Sequence, residues 1–220
     1  EGIGEASKYL AFPVVSGNVS FYNQTKEIGI KPTPVIGGVG LIKDYTKMIT
    51  MNFKSEGNLV LVIGKTEGHL DQSLFARTIL DEKNGPPPEI NLFNEKNNGE
   101  TILKLIEDNY IKSAHDVSLG GILMGVSKMC IDGNIGIEIK KPNSLLNEFE
   151  YFFSEDQGRY IIEISKSDIK KVTSILEKNA VHYDEIGTLV GKSVSFNEKT
   201  IVPVDELKSY NNNWLKDYMR

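Results

Sequence analysis

Three short stretches of this chain gather the residue types that bind or transform small molecules. The first is "SGNVS", Ser16 to Ser20. Gly17 lacks a Cβ, so the backbone there can turn sharply or let a ligand come close. Asn18 offers a neutral oxygen suited to a hard cation such as Mg²⁺, and Ser20 a hydroxyl for a phosphate or a sugar. A strand ending in a polar turn has the same composition, and spacing alone does not separate the two. The second stretch is "SAHDVSLGGI", Ser113 to Ile122, a small-residue turn between a strand and a helix. Asp116 or Ser118 can cap that helix, and Gly120 with Gly121 leaves room for an anion at its N-terminus; plain capping with tight packing is the alternative. His115 in this turn is an acid, a base, a ligand or simply a hydrogen-bonded ring. The third is "FFSEDQGRY", Phe152 to Tyr160. Glu155, Asp156, Gln157 and Arg159 there suit Mg²⁺ or a phosphate, and equally a solvated loop with a local ion pair.

Other features are set aside on chemistry. Cys130 lies on the apolar face of "ILMGVSKMC" and reads as packing. "GGVG" at Gly37 to Gly40 lacks the spacing and the following helix of a nucleotide fingerprint. A net charge of -5 from 25 basic and 30 acidic residues is mild and well mixed, with no basic stripe for nucleic acid. A single cysteine permits no internal disulfide and fits a reducing cytosol. No apolar run approaches the roughly 20 residues of a membrane helix, and no signal peptide is read.

The elements that must position these stretches are read from periodicity. At 220 residues and 40% hydrophobic, the chain can bury a sizeable core as one or two domains. Residues 1 to about 50 read as helix, strand ("PVVSG"), loop, strand ("PTPVIGGVGLI"). "MITMNFKSEGNLVLVIG" reads as two β-rich runs joined by a hairpin turn at Ser55 to Asn58, with a domain junction near Lys43 to Lys54. "HLDQSLFARTILDE" has a helical period, and the three prolines of "NGPPPEI" form a turn. From Asn91 onward helix, strand, helix and strand alternate. A loop follows, then a strand at "GRYIIEI", a helix at "SKSDIKKVTSILEKN", strands at "YDEIGTLVG", "SVSFN" and "TIVPV", and at most a short helix in "NNNWLKDYMR". This is a mixed α/β pattern. The chain opens on Glu1 within a helical pattern of Ile3, Ala6 and Leu10, so a piece of a longer protein is expected.

Taken in order, "FPVVSGNVSFYNQT", "PTPVIGGVGLI", "SAHDVSLGGI" and "FSEDQGRY" resemble the phosphoribosylformylglycinamidine synthase II family of purine biosynthesis, in the superfamily of aminoimidazole ribonucleotide synthetase. The resemblance spans nearly the whole chain. It implies residues 1–50 as the truncated end of a second A-type domain and 51–220 as a complete second B-type domain, within a mixed-sheet α/β fold. It also implies an ATP- and Mg²⁺-dependent carbon–nitrogen ligase. Formylglycinamide ribonucleotide is the substrate, ammonia comes from a separate glutaminase subunit, a small accessory subunit assists, and the location is cytoplasmic. By this resemblance Gly17 contacts ATP, Asn18 ligates Mg²⁺ and Ser20 contacts the ribonucleotide. Asp116, Glu155, Gln157 and Arg159 face a second, pseudo-symmetric nucleotide site. The acid/base residues belong to N-terminal domains outside these residues, so the piece alone is expected to be inactive, and its open half-domain is expected to self-associate or to leave a mobile N-terminal segment. Two alternatives stand beside this reading: a non-catalytic scaffold holding a structural nucleotide, and a sister ATP-dependent synthetase, which the wording of "SGNVSFYN" disfavours.

Overall fold

The computed structural model describes residues 1–197 and 200–220. Contacts divide the chain into two units, Glu1–Met48 and Ile49–Arg220. The first holds α1 (Gly2–Tyr9), a two-stranded ribbon of β1 (Gln24–Thr25) and β2 (Ile28–Gly29), and a 3-10 turn at Tyr45–Lys47 capped by the Asp44 side chain. Its apolar residues have no core of their own: Val15, Phe21, Val35, Val39 and Leu41 are all nine-tenths exposed or more. "PVVSG" and "PTPVIGGVGLI" are therefore irregular segments rather than strands, because no neighbouring strand among the described residues accepts their backbone groups.

The second unit is a seven-stranded sheet flanked by helices. In chain order it comprises β3 (Leu59–Ile63), α2 (Leu74–Thr78), α3 (Leu92–Glu107), β4 (Ile111–Asp116), α4 (Gly121–Gly133) and β5 (Ile137–Ile139). Then follow α5 (Glu148–Phe153), β6 (Tyr160–Ile164), α6 (Ile169–Lys178), β7 (Tyr183–Leu189), β8 (Ser193–Phe196), β9 (Thr200–Pro203) and α7 (Val204–Tyr218). The strand order is β4-β6-β3-β7-β5-β8-β9. Only the β5–β8 pair is parallel among the described strands, so the sheet is mixed.

β3 shows how the sequence builds two layers. Its run "LVLVI" is wholly buried because strand periodicity sends Leu59, Leu61 and Ile63 to one face and Val60 and Val62 to the other. The first set packs with Ile102 and Leu105 of α3 and Val172 and Leu176 of α6. The second packs with Ile122, Val126 and Met129 of α4, Tyr151 and Phe152 of α5, and Val204 of α7. Truncating a side chain such as Leu61 in this setting costs about 2–5 kcal/mol.

Four expectations are corrected here. Met48 to Lys54 form no strand: Phe53 turns into the core, and the Lys54 and Ser55 amides donate to the carboxylate of Glu163 instead of a neighbouring strand. The helix expected over "HLDQSLFARTILDE" is confined to Leu74–Thr78, capped by Ser73. The loop before β6 contains α5, started by a capping box of Asn147 and Glu150. The tail is a 15-residue helix: Pro203 provides an extended N-cap, and Asp205 and Glu206 complement the dipole of the first turn. Its three consecutive asparagines are weak helix formers that mask it in the sequence.

Candidate functional site

In the first unit Gly17, Asn18 and Ser20 lie on one exposed, irregular stretch. Gly17 has no left-handed φ, and a Cβ there would meet open space. The sharp-turn reason for a glycine is thus not in use, while close approach by a ligand stays open. Ser20 Oγ donates to the Tyr22 carbonyl at 3.3 Å, and Asn23 Nδ2 donates to the Ser20 carbonyl at 2.5 Å, which shapes the bend after the motif. The Asn18 amide is exposed, and its oxygen is the kind of hard, neutral donor that a divalent cation accepts. A single amide makes one ligand of a coordination shell. Among the described residues no three His, Cys, Asp or Glu side chains gather as a metal site.

In the second unit the candidates separate according to where their hydrogen bonds go. Glu155 Oε1 accepts from the Leu74 amide at 2.7 Å and the Gly120 amide at 2.8 Å, tying the start of α2 to the start of α4. The anion foreseen at the Gly120–Gly121 helix start is therefore the chain's own carboxylate. Gly120 and Gly121 both hold positive φ, and a Cβ on Gly121 would strike the Phe152 and Ser154 carbonyls, so the turn fits against α5 only as glycine.

Asp156 and Arg159 are buried rather than solvated, contrary to the exposed-loop reading. Asp156 accepts the amides of Glu67, Gly68 and His69 at 2.9, 3.0 and 3.1 Å. The Arg159 side chain is fully enclosed. It donates to the Asp156 carbonyl (3.1 Å), Thr66 Oγ1 (3.0 Å) and the Ser154 carbonyl (2.7 Å), with the Asp156 carboxylate 3.8 Å away. Burial draws its pKa downward against the opposing pull of Asp156, Tyr151 and Glu155. Gln157 stays exposed, with Nε2 donating to the Glu155 carbonyl at 3.3 Å. Asp116 is exposed at the end of β4, its Oδ1 3.2 Å from His115 Nδ1. The four residues of the expected second site thus split: Gln157 and Asp116 present free faces, while Glu155 and Arg159 bond inward.

Gln157 lines a cleft of about 420 Å³ shared with Lys65, Glu67, His69, Asn91 and Glu95. Glu95 is half-buried, and desolvation raises its pKa. The same unit holds a cluster that the sequence does not reveal. Tyr151 Oη donates to Asp184 Oδ2 at 2.8 Å, and His182 Nε2 lies 3.4 Å from the same oxygen. Burial and then Asp184 push the Tyr151 phenol upward. For Asp184 itself burial acts upward, and the hydrogen bonds from His182 and Tyr151 outweigh it and hold the carboxyl below its ordinary value. Tyr151 belongs to α5, while Asp184 is in β7 and His182 just before it, so no local motif announces them.

Against known proteins, residues 55–197 match the family described as AIR synthase related protein, C-terminal domain. The whole chain is 68% identical over 219 residues to phosphoribosylformylglycinamidine synthase subunit PurL of Pelagibacter ubique (strain HTCC1062). It is 40% identical to the subunit of the same name from Rhodopseudomonas palustris (strain HaA2). In both cases it spans 30% of the relative's length. Among solved structures it resembles T. maritima PurL complexed with FGAR, with a TM-score of 0.62 at 19% identity, covering 74% of this chain and 30% of that one. T. maritima PurL complexed with ATP gives a TM-score of 0.58 at 18% identity, covering 74% and 27%. At these identities the structural likeness speaks for the fold alone. The matched region contains β3 to β8 and most of both buried layers, and on that footing the chain belongs to the AIR synthase related family, with residues 55–197 matching its C-terminal domain.

Proposed function

We propose that this chain is the C-terminal part of a phosphoribosylformylglycinamidine synthase subunit, whose reaction converts formylglycinamide ribonucleotide, ATP and ammonia to the amidine, ADP and phosphate. The observation that carries the reading is the 68% identity over 219 residues to a relative of that name. In this reading residues 1–50 complete an A-type domain and 51–220 form a B-type domain. The amide oxygen of the substrate takes the γ-phosphoryl group, which turns a poor leaving oxygen into phosphate. Ammonia then adds at that carbon, phosphate departs, and loss of a proton leaves the amidine.

The residues of this chain bind and orient. The backbone at Gly17 admits the nucleotide closely, the Asn18 amide oxygen is one ligand to Mg²⁺, and the Ser20 hydroxyl holds the ribonucleotide. Mg²⁺, when bound, offsets charge on the phosphoryl oxygens. The second unit is a scaffold in this account, because Glu155, Asp156 and Arg159 are engaged with backbone partners inside it. Gln157 and Asp116 are the residues with faces left for a second-site ligand. The ammonia source is a separate glutaminase, and the setting is the cytoplasm.

The test is ADP release by the full-length subunit, measured with and without formylglycinamide ribonucleotide and ammonia, in wild type and Asn18→Ala. Dependence on both substrates with a loss of about 100-fold or more in the variant, at unchanged folding, supports the reading. Full activity in the variant removes Asn18 from the site, and turnover indifferent to the ribonucleotide removes the synthase.

A further inference from the structure

α7 carries its core-facing stripe beyond its own domain. Val204 is buried in the core that α7 forms with α4, and Leu207, three residues on, packs at the margin of the same core. Continuing along that face at helical spacing come Asn211, Trp214, Leu215 and Tyr218. Trp214, Leu215 and Tyr218 are 61%, 53% and 80% exposed, with Met219 beside them at 75%. A surface helix normally turns its apolar stripe inward and its polar face outward. Here the stripe runs on after the domain beneath it has ended.

We infer that the second half of α7, through Trp214, Leu215 and Tyr218, is a docking face for the part of the full-length subunit that lies outside these 220 residues. This rests on the reading above that the chain is one portion of a longer subunit. The size of the patch selects the occupant. An aromatic side chain buries roughly 150–250 Å² when fully enclosed, so at 61% and 80% exposure Trp214 and Tyr218 have roughly 200–350 Å² left to bury, and the half-exposed Leu215 adds less. A stable interface between freely diffusing proteins needs about 800 Å² on each partner. A second copy or a separate subunit gains too little from this stripe to overcome the loss of translational and rotational freedom. A segment of the same polypeptide is already present at high effective concentration and incurs no such loss. The relatives supply such a segment, since 70% of their length lies outside the region this chain matches. The stripe is also continuous with an intramolecular core, as expected of a face closed by intramolecular packing.

The experiment is hydroxyl-radical footprinting of the full-length subunit by itself, without substrates, reading oxidation of Trp214 and Tyr218 by mass spectrometry. The expected result is slowing of about 10-fold or more relative to the urea-unfolded subunit, with Trp214→Ala/Tyr218→Ala lowering the melting temperature of the full-length protein. Oxidation at the unfolded rate overturns the inference. So does protection that rises with protein concentration, which points to a second copy, or that requires an added subunit. The footprint is independent of turnover, so loss of the synthase reading in the ADP assay and loss of this docking face are separate outcomes.

Discussion

Replacing Glu163 by glutamine is predicted to destabilise the second unit by about 2–5 kcal/mol, although the change is isosteric. Glu163 sits on β6 with no exposed surface and accepts four hydrogen bonds. Oε1 takes the Ser55 amide (3.1 Å) and Asn58 Nδ2 (2.7 Å), and Oε2 takes the Lys54 amide (2.8 Å) and Ser113 Oγ (2.8 Å). All four partners donate, so the site calls for an acceptor-only carboxylate. A glutamine must turn its NH₂ toward one pair or the other. Asn58 can flip to present its oxygen and Ser113 can rotate its hydroxyl, but neither the Ser55 nor the Lys54 main-chain N–H can reverse. Either orientation leaves the buried side-chain N–H facing a part-buried main-chain N–H, at about 1–3 kcal/mol, and the surviving bonds lose their charge assistance, together about 1–2 kcal/mol more. For a unit of this size that is a fall of roughly 10 °C in Tm. Urea unfolding at pH 7, with Ser113→Ala as a milder comparison near 1 kcal/mol, reads the effect. A Glu163→Gln variant within about 0.5 kcal/mol of wild type would show that the four-donor argument is mistaken.

Two further predictions concern titration. Hydrogen bonding to Asp184 raises His182 above its ordinary value, with burial opposing and the Asp184 charge reinforcing. A raised folded-state pKa means the pair stabilises fully below the unfolded value near 6.5 and loses that contribution as pH rises through the folded value. Because His182 is half exposed, the effect is below about 1 kcal/mol. Unfolding free energy measured from pH 6 to 8.5 should decline more steeply in wild type than in His182→Asn, and parallel curves would refute the pairing. Burial pushes the Cys130 thiol up to about 12, so an aromatic disulfide reagent at pH 8 should modify it only at the rate of unfolding. Prompt labelling of the folded protein would contradict its place on the buried face of α4.

The mixed α/β class was legible because the strongest signals were local: "LVLVI", the helical period of α4 and α6, and the breaks around them. Long-range bonds defeated the rest. "MITMNFK" alternates like a strand, yet its Phe53 amide finds the Met129 carbonyl of α4 and its Lys54 amide finds Glu163 rather than a strand, and only the folded chain brings them together. "SEDQGR" reads as a ligand loop or a solvated turn, and neither reading foresees that Glu155 joins two helix starts or that Arg159 is enclosed by carbonyls and Thr66. α5 had a readable signal in the Asn147–Glu150 capping box before "YFF". The "SGNVS" residues were singled out by chemistry and given roles by resemblance. The first unit displays them at the surface, with an apolar complement that is equally exposed.

The central claim is that the parent subunit activates an amide oxygen with ATP and then replaces it with ammonia. Formylglycinamide ribonucleotide labelled with ¹⁸O at that amide tests it most directly. With ATP, ammonia and the full-length subunit, the account predicts one ¹⁸O in each inorganic phosphate released, in step with amidine formation. Unlabelled phosphate, with the isotope retained in the ribonucleotide, would contradict it.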